Sequence, residues 1–280
     1  MQIFIAENAG FCFGVERAYK IVQDTIAKKQ KNDSIVTFGP LIHNNRVIYA
    51  LKNQGVIVKN NINEITDKDT VIIRSHGISS QKTKQLKKRC HHLVDATCPF
   101  VKKIYQIAQK FAEKNYQILV IGNKDHPEIQ SITEDFPHVF SVQTEIEAQN
   151  INLLPNTGVI VQTTFKKDLF QKIAKILQKR FPKIKLENTI CHATMIRQET
   201  AAKLSQKVDC MIVIGGKQSA NTQRLQEICS QNCPTQKIEN LHDLDVKEIK
   251  TATKVGITAG ASTPKNQIDE IVDFLIKLKP

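Results

Sequence analysis

The sequence predicts an α/β protein of three similar units with parallel sheets, arranged pseudo-threefold around one central pocket. Three observations carry that expectation. Cys12, Cys98 and Cys191 open comparable segments, CFGVERA, CPFVKKIY and CHATMIRQE. Their spacing, from 12 to 98 and from 98 to 191, is nearly even, as an internal repeat requires. Each cysteine lies between a short β-prone stretch and a run of helical periodicity, hence at a strand-to-helix turn.

The β-prone stretches are IFIA at 3–6, HLVDA at 92–96 and IKLENTI at 184–190. After Cys12, Val15, Ala18, Val22 and Ile26 recur at helical spacing, as Phe100, Val101, Ile104, Ile107, Ala108 and Phe111 do after Cys98. Pro99 suits a first helical turn, where its missing N–H costs nothing. Two β-branched runs ending in polar loops then recur in each copy. The first set is VTFGPLIHN with His43, ILVIGNKDHPE with His126 and Glu128, and MIVIGGKQSAN with Ser219, Ala220 and Asn221. The second is VIIRSHG with His76, GVIVQTT with Thr163 and Thr164, and VGITAGAS with Ser262. Parallel α/β sheets hold ligands beyond the carboxyl ends of their strands, so these loops are expected to converge on one site. An amphipathic helix through Ile268, Ile271, Val272, Leu275 and Ile276 follows. The expected units are 1–97, 98–190 and 191–280, carrying Cys12, Cys98 and Cys191 in turn.

A chain of 280 residues is long enough for several cores. No apolar run approaches the roughly 18 residues needed to cross a bilayer, so membrane insertion is not expected. MQIFIA enters a strand at once, without the flanks of a secretory signal, and the expected location is the cytoplasm. Seven cysteines in a reducing compartment point to metal binding or catalysis rather than to a disulfide framework. The net charge of +13 includes the basic runs 82–89 and 178–185, which read as solvated faces of helical stretches. Aromatic residues do not interleave with them, so a nucleic-acid partner is the lesser reading; it would show as steeply salt-dependent binding to random DNA or RNA. Such a field also suits anionic substrates or acidic electron carriers.

Three thiols without a fourth are an odd set for structural zinc. A cubane iron–sulfur cluster with three thiolate ligands leaves one iron open to a substrate. Cys90, Cys210, Cys229 and Cys233 stand outside the repeat: Cys210 in an apolar strand, Cys229 and Cys233 spaced as neighbours on a helix face, and Cys90 at the end of a basic helix. The donors of the landmark loops suit an anion such as diphosphate, yet no phosphate-loop or dinucleotide fingerprint is present. Glu128 could donate protons if a closed pocket raised its pKa. Its local sequence fits equally well a surface glutamate opening a helix after Pro127.

Taken together, GFCFGVERA, IHN, SHG, DATCP, HPE, QTT, ICHAT, RQE, GGKQSANT and TAGAS resemble the 4-hydroxy-3-methylbut-2-enyl diphosphate reductase family, also called IspH/LytB. The resemblance runs over nearly the whole chain. It implies one 4Fe-4S cluster per chain, bound by Cys12, Cys98 and Cys191, with one iron open for the substrate hydroxyl. It implies that His43, His76, His126, Ser219, Asn221 and Ser262 hold the diphosphate, and that Thr163 and Glu128 position the hydroxyl and relay protons. The implied activity is the last step of the methylerythritol phosphate (non-mevalonate) route to isoprenoids, with ferredoxin or flavodoxin as electron donor. A monomer or weak dimer is expected. One departure is visible: Ala220 stands where the family commonly has a second serine, leaving the backbone N–H at that position as the donor. A cluster acting as Lewis acid in a non-redox dehydration of an anionic substrate is the alternative, and demand for external electrons separates the two.

Overall fold

The computed structural model describes residues 1–29 and 33–278; residues 30–32 of the expected 1–97 unit and 279–280 of the 191–280 unit lie outside it. In chain order, β1 (Gln2–Ile5) leads into α1 (Phe13–Ala27), β2 (Ser34–Phe38), α2 (Asn45–Asn53), β3 (Val56–Lys59), β4 (Asp69–Ile73), α3 (Ser80–Arg89) and β5 (His92–Asp95). There follow α4 (Pro99–Glu113), β6 (Gln117–Ile121), α5 (Pro127–Asp135), β7 (Val139–Val142), α6 (Glu145–Asn150), β8 (Thr157–Val161), α7 (Lys167–Arg180) and β9 (Lys185–Leu186). The last stretch holds α8 (His192–Ser205), β10 (Cys210–Ile214), α9 (Ala220–Cys229), β11 (Thr235–Ile238), α10 (Val246–Lys250), β12 (Lys254–Ala259) and α11 (Lys265–Lys277).

Among the described residues the strands form three four-stranded parallel sheets, ordered β3-β2-β4-β5, β7-β6-β8-β9 and β11-β10-β12-β1. The α/β class with parallel sheets is the one the sequence predicts. The two landmark strands of each repeat lie side by side at the centre of a sheet, and the strand leading to a cysteine takes the edge beside them. The third sheet departs from the expected grouping of 1–97. After β12 the chain turns into α11, and the vacant edge is filled by β1, with Gln2 opposite Lys254 and Ile5 opposite Ile257. Cys12 therefore follows a strand of the sheet that carries Ser219 and Ser262. Sheet membership depends on partners some 250 residues away, which local spacing does not reveal.

By compactness the chain forms two units, one of Met1–Glu16, Ile42–Ala50 and His192–Pro280, the other of Arg17–Leu41 and Leu51–Cys191. The first holds the sheet of β1, β10, β11 and β12; the second holds the other two. In the second unit β4 and β8 are buried throughout, as parallel strands covered on both faces must be. Helix α4 starts with Pro99, buries Val101, and packs Ile104, Ala108 and Phe111 against Ile118, Val120 and Ile160 of β6 and β8. Each such aliphatic or aromatic side chain contributes about 1.5–3 kcal/mol. Gly158 in β8 makes this contact possible, because a Cβ there would lie 2.4 Å from the Phe111 ring. In the first unit Ile212, Ile214, Val255, Ile257, Ile271 and Leu275 form the core under α11.

Of the two basic runs, 82–89 lies within α3, whose one buried residue is Leu86, whereas 178–185 leaves α7 at Arg180 and ends in β9. Among the described residues no helix is long and apolar enough to cross a membrane.

Candidate functional site

In the second unit, Ser75 follows β4 and donates both its N–H and its hydroxyl to the Leu41 carbonyl, at 3.2 and 2.9 Å. His76 comes next, and Gly77, at φ +74°, turns the chain towards α3. The Ser75 carbonyl accepts the Cys98 N–H at 3.0 Å, so the His76 loop and the Cys98 turn are fixed to each other. A Cβ on Gly77 would meet Thr97 Cγ2 at 3.1 Å, a tight contact that adds to the left-handed backbone in favouring glycine there. Cys98 sits where the chain leaves β5 of one sheet for α4, which packs on the next.

His126 caps the N-terminus of α5: its Nδ1 accepts the Glu128 N–H at 3.3 Å. The His76 and His126 rings meet edge to face, with centroids 5.5 Å apart. Glu128 does open the helix after Pro127, but it is not on the surface; its exposure is 1%. Its carboxylate accepts the Thr163 N–H at 2.8 Å and the Thr163 hydroxyl at 2.6 Å. Burial pushes the Glu128 carboxyl up to about 7, against the lowering effect of the two Thr163 donors. The Thr163 carbonyl in turn accepts the Cys191 N–H at 3.0 Å, so one residue ties a proton-holding carboxyl to a cysteine turn. Thr164 accepts from Gln162 Nε2 at 3.0 Å, and Gln162 Oε1 accepts the Asn123 N–H at 3.0 Å, stitching the β6 and β8 loops together.

The far end of α5 is anchored as well. Asp135 accepts from the N–H and hydroxyl of Ser80, the Gln81 N–H and the Tyr105 hydroxyl, and Lys82 pairs with Glu134 at 2.6 Å. A carboxylate on the N-terminus of α3 satisfies donors the helix leaves open and complements its dipole. Thus α3, which follows the His76 loop, is joined to α5, which begins beside His126.

In the first unit, the Cys12 N–H donates to the Ala261 carbonyl at 3.1 Å and the Cys12 carbonyl accepts from Glu16 as α1 begins. Ser262 donates its hydroxyl to the His43 carbonyl at 3.1 Å. Gly216 lies against that same carbonyl, where a Cβ would come within 2.5 Å. Ser219 caps α9 by accepting the Thr222 N–H at 3.3 Å, and Ala220 is the first helical residue. Asn221 is buried, yet neither its amide nitrogen nor its amide oxygen has a hydrogen-bond partner. A helix N-terminus with a buried, unsatisfied amide beside it is suited to an anion.

None of the seven cysteines is in a disulfide. Burial raises the thiol pKa of Cys90, Cys210, Cys229 and Cys233, to about 11 for Cys210 and about 12 for Cys229, which disfavours them as thiolate ligands. Cys229 ends α9, so Cys233 lies beyond the helix rather than along its face; it packs with Cys229 in one apolar cluster. Residue spacing did not single out Ser75, Gln162, Asp135 or Arg197. Arg197 is buried in α8 and donates to the carbonyls of Asn8 and Gly10.

The profile of the LytB protein family matches residues 3–276. The 4-hydroxy-3-methylbut-2-enyl diphosphate reductase of Clostridioides difficile is 42% identical over 99% of this chain and 100% of its own. That of Geobacter metallireducens is 41% identical over 98% of this chain and 96% of its own. Among solved structures, the E-1-hydroxy-2-methyl-but-2-enyl-4-diphosphate reductase of Plasmodium falciparum superposes with a TM-score of 0.92 at 31% identity, covering 99% of this chain and 88% of the other. A second structure, described as the terminal enzyme of the non-mevalonate pathway, gives 0.72 at 35% identity, covering 99% and 100%.

Proposed function

The chain belongs to the LytB protein family, and from that premise we infer that it reduces 4-hydroxy-3-methylbut-2-enyl diphosphate to isopentenyl and dimethylallyl diphosphate, the last step of the non-mevalonate route to isoprenoids. The observation that carries the chemistry is the buried Glu128 carboxyl held by two donors of Thr163. A hydroxyl leaves poorly as hydroxide and well as water, so a carboxyl still protonated near neutral pH supplies what the C–O cleavage lacks. Overall, two electrons and two protons convert the alcohol to the alkene-bearing diphosphate and water.

Members of this family depend on an iron–sulfur centre. We propose one 4Fe-4S cluster per chain, held by Cys12, Cys98 and Cys191 with one iron left open. The donor set fits this reading: each of the three cysteine N–H groups is fixed to a loop carbonyl, of Ala261, Ser75 and Thr163 respectively, while burial raises the pKa of the other four thiols. When bound, the cluster would relay two electrons from the external donor and would supply a Lewis-acidic position for the hydroxyl oxygen.

The chain's own residues do the rest. Ser219, Ser262, the Ala220 N–H at the start of α9 and the unsatisfied Asn221 amide are assigned to the diphosphate, together with His43, His76, His126 and Thr164. The diphosphate acts as a remote handle, converting binding into orientation of the reacting carbon. Thr163 orients Glu128 and meets the hydroxyl. The repeats 1–97, 98–190 and 191–280 each contribute one cysteine and two landmark loops. The net charge of +13 suits a small acidic electron donor such as ferredoxin or flavodoxin, and the working form is a cytoplasmic monomer or weak dimer.

Strictly anaerobic oxidation of reduced methyl viologen, with and without 4-hydroxy-3-methylbut-2-enyl diphosphate, tests the function. Substrate-dependent oxidation yielding both isoprenoid diphosphates is expected. Dehydration without electron uptake would contradict it.

A further inference from the structure

Arg197 stands in the RQE stretch of α8, and its side chain is buried although it carries a full charge. Nε donates to the Asn8 carbonyl at 2.9 Å and Nη2 to the Gly10 carbonyl at 2.8 Å. One helical turn on, Thr200 Oγ1 donates to the Glu7 carbonyl at 3.0 Å. All three acceptors lie in the turn between β1 and Cys12. That turn contains two left-handed residues, Asn8 at φ +63° and Gly10 at φ +100°. Such backbone is populated when its surroundings hold it, and its displaced carbonyls need donors. From the other side, a Cβ at Gly10 would meet Ile268 Cδ1 at 3.1 Å and the Thr263 carbonyl at 3.2 Å, which confines the turn further. A planar guanidinium presents two donors in a fixed fork, which suits two carbonyls two residues apart. An apolar side chain would fill the same space without the cost of burying a charge, so the hydrogen bonds to the turn account for an arginine there.

We propose that Arg197 is a positioning residue for Cys12: by holding the Asn8 and Gly10 carbonyls it fixes the turn that presents the thiol to iron. The inference rests on the reading of Cys12 as a cluster ligand.

The test uses the full-length chain, isolated anaerobically with its iron–sulfur centre, as wild type, Arg197→Met, Arg197→Lys, Thr200→Val and Cys12→Ser. Iron loss to a chelator is timed, and alkylation of each cysteine by iodoacetamide is followed peptide by peptide as the iron leaves. Arg197→Met is expected to speed both iron loss and Cys12 alkylation by about tenfold, the change that losing a charge-assisted hydrogen bond makes in a local opening equilibrium. Arg197→Lys keeps the charge and should fall between wild type and Arg197→Met. Thr200→Val, at a partly exposed position, should give roughly a twofold to threefold rise even if Arg197→Met fails to fold. Cys12 should alkylate ahead of iron loss in these variants, whereas Cys98 and Cys191 should alkylate only in step with the iron that leaves. Alkylation of all three cysteines in step with iron loss, or an unchanged Cys12 rate in the variants that fold, overturns the proposal. Retention of the full iron complement by Cys12→Ser would instead refute the ligand reading beneath it.

Discussion

Thr163 gives Glu128 both of its donors, the hydroxyl to Oε2 at 2.6 Å and the backbone N–H to Oε1 at 2.8 Å, while its carbonyl holds the Cys191 N–H. Donors of this kind stabilise the carboxylate, yet burial outweighs them and Glu128 titrates at about 7. The pair thus keeps an oriented acid that can give up its proton near neutral pH. Glu128→Gln preserves the shape and keeps one acceptor oxygen for Thr163, but it has no acidic proton to give. We expect kcat to fall by about 10²–10⁴-fold with KM changed little, as measured by viologen-coupled turnover.

The same group makes stability depend on pH. Its folded pKa lies above the ordinary 4.5, so its contribution is fully present below pH 4.5 and is lost as pH rises through 7. A rise from 4.5 to about 7 corresponds to roughly 3 kcal/mol. Glu128→Gln lacks this loss, so its thermal midpoint should gain on the wild type between pH 5 and pH 8. Parallel profiles for the two proteins would contradict the raised pKa.

Asp135 should matter to substrate binding although it is assigned no contact with substrate. Asp135→Ala strips the N-terminus of α3 of its partner and leaves the Tyr105 hydroxyl, now titrating at about 12, without its acceptor. Loss of such a cap costs about 1–2 kcal/mol. Because α3 and α5 follow His76 and His126, KM is expected to rise several-fold while kcat changes less. Asp135→Asn, which keeps one acceptor oxygen for Ser80, should recover part of the loss.

Ala220→Ser returns a hydroxyl to the first turn of α9, beside the unsatisfied Asn221 amide. One added hydrogen bond to a charged phosphate would lower KM by about tenfold. Unchanged affinity for the diphosphate would show that this position does not reach it.

The repeat was legible because its signals are local: β-branched runs, the apolar spacing after Cys98, Pro99 at the first turn of α4, and the polar loops that end each central strand. Other features depend on residues far apart in sequence. The place of β1 beside β12 depends on a register with Lys254–Ile257, and the burial of Glu128 on the loop after β8. Arg197 finds its acceptors 187 and 189 residues away, and Asp135 meets Ser80 from 55 residues off. Polar side chains of this kind give no periodic signal. The end of α9 at Cys229 was likewise hidden, because a spacing of four fits a helix face whether or not the helix continues.

The central claim is that three thiols, one from each repeat, hold the iron–sulfur centre. It is tested most directly by the iron and sulfide content of the seven single cysteine-to-serine variants, prepared anaerobically. Cys12→Ser, Cys98→Ser and Cys191→Ser should each lose the intact cluster, and the Cys90, Cys210, Cys229 and Cys233 variants should keep it. A full complement of iron in Cys98→Ser would contradict the account.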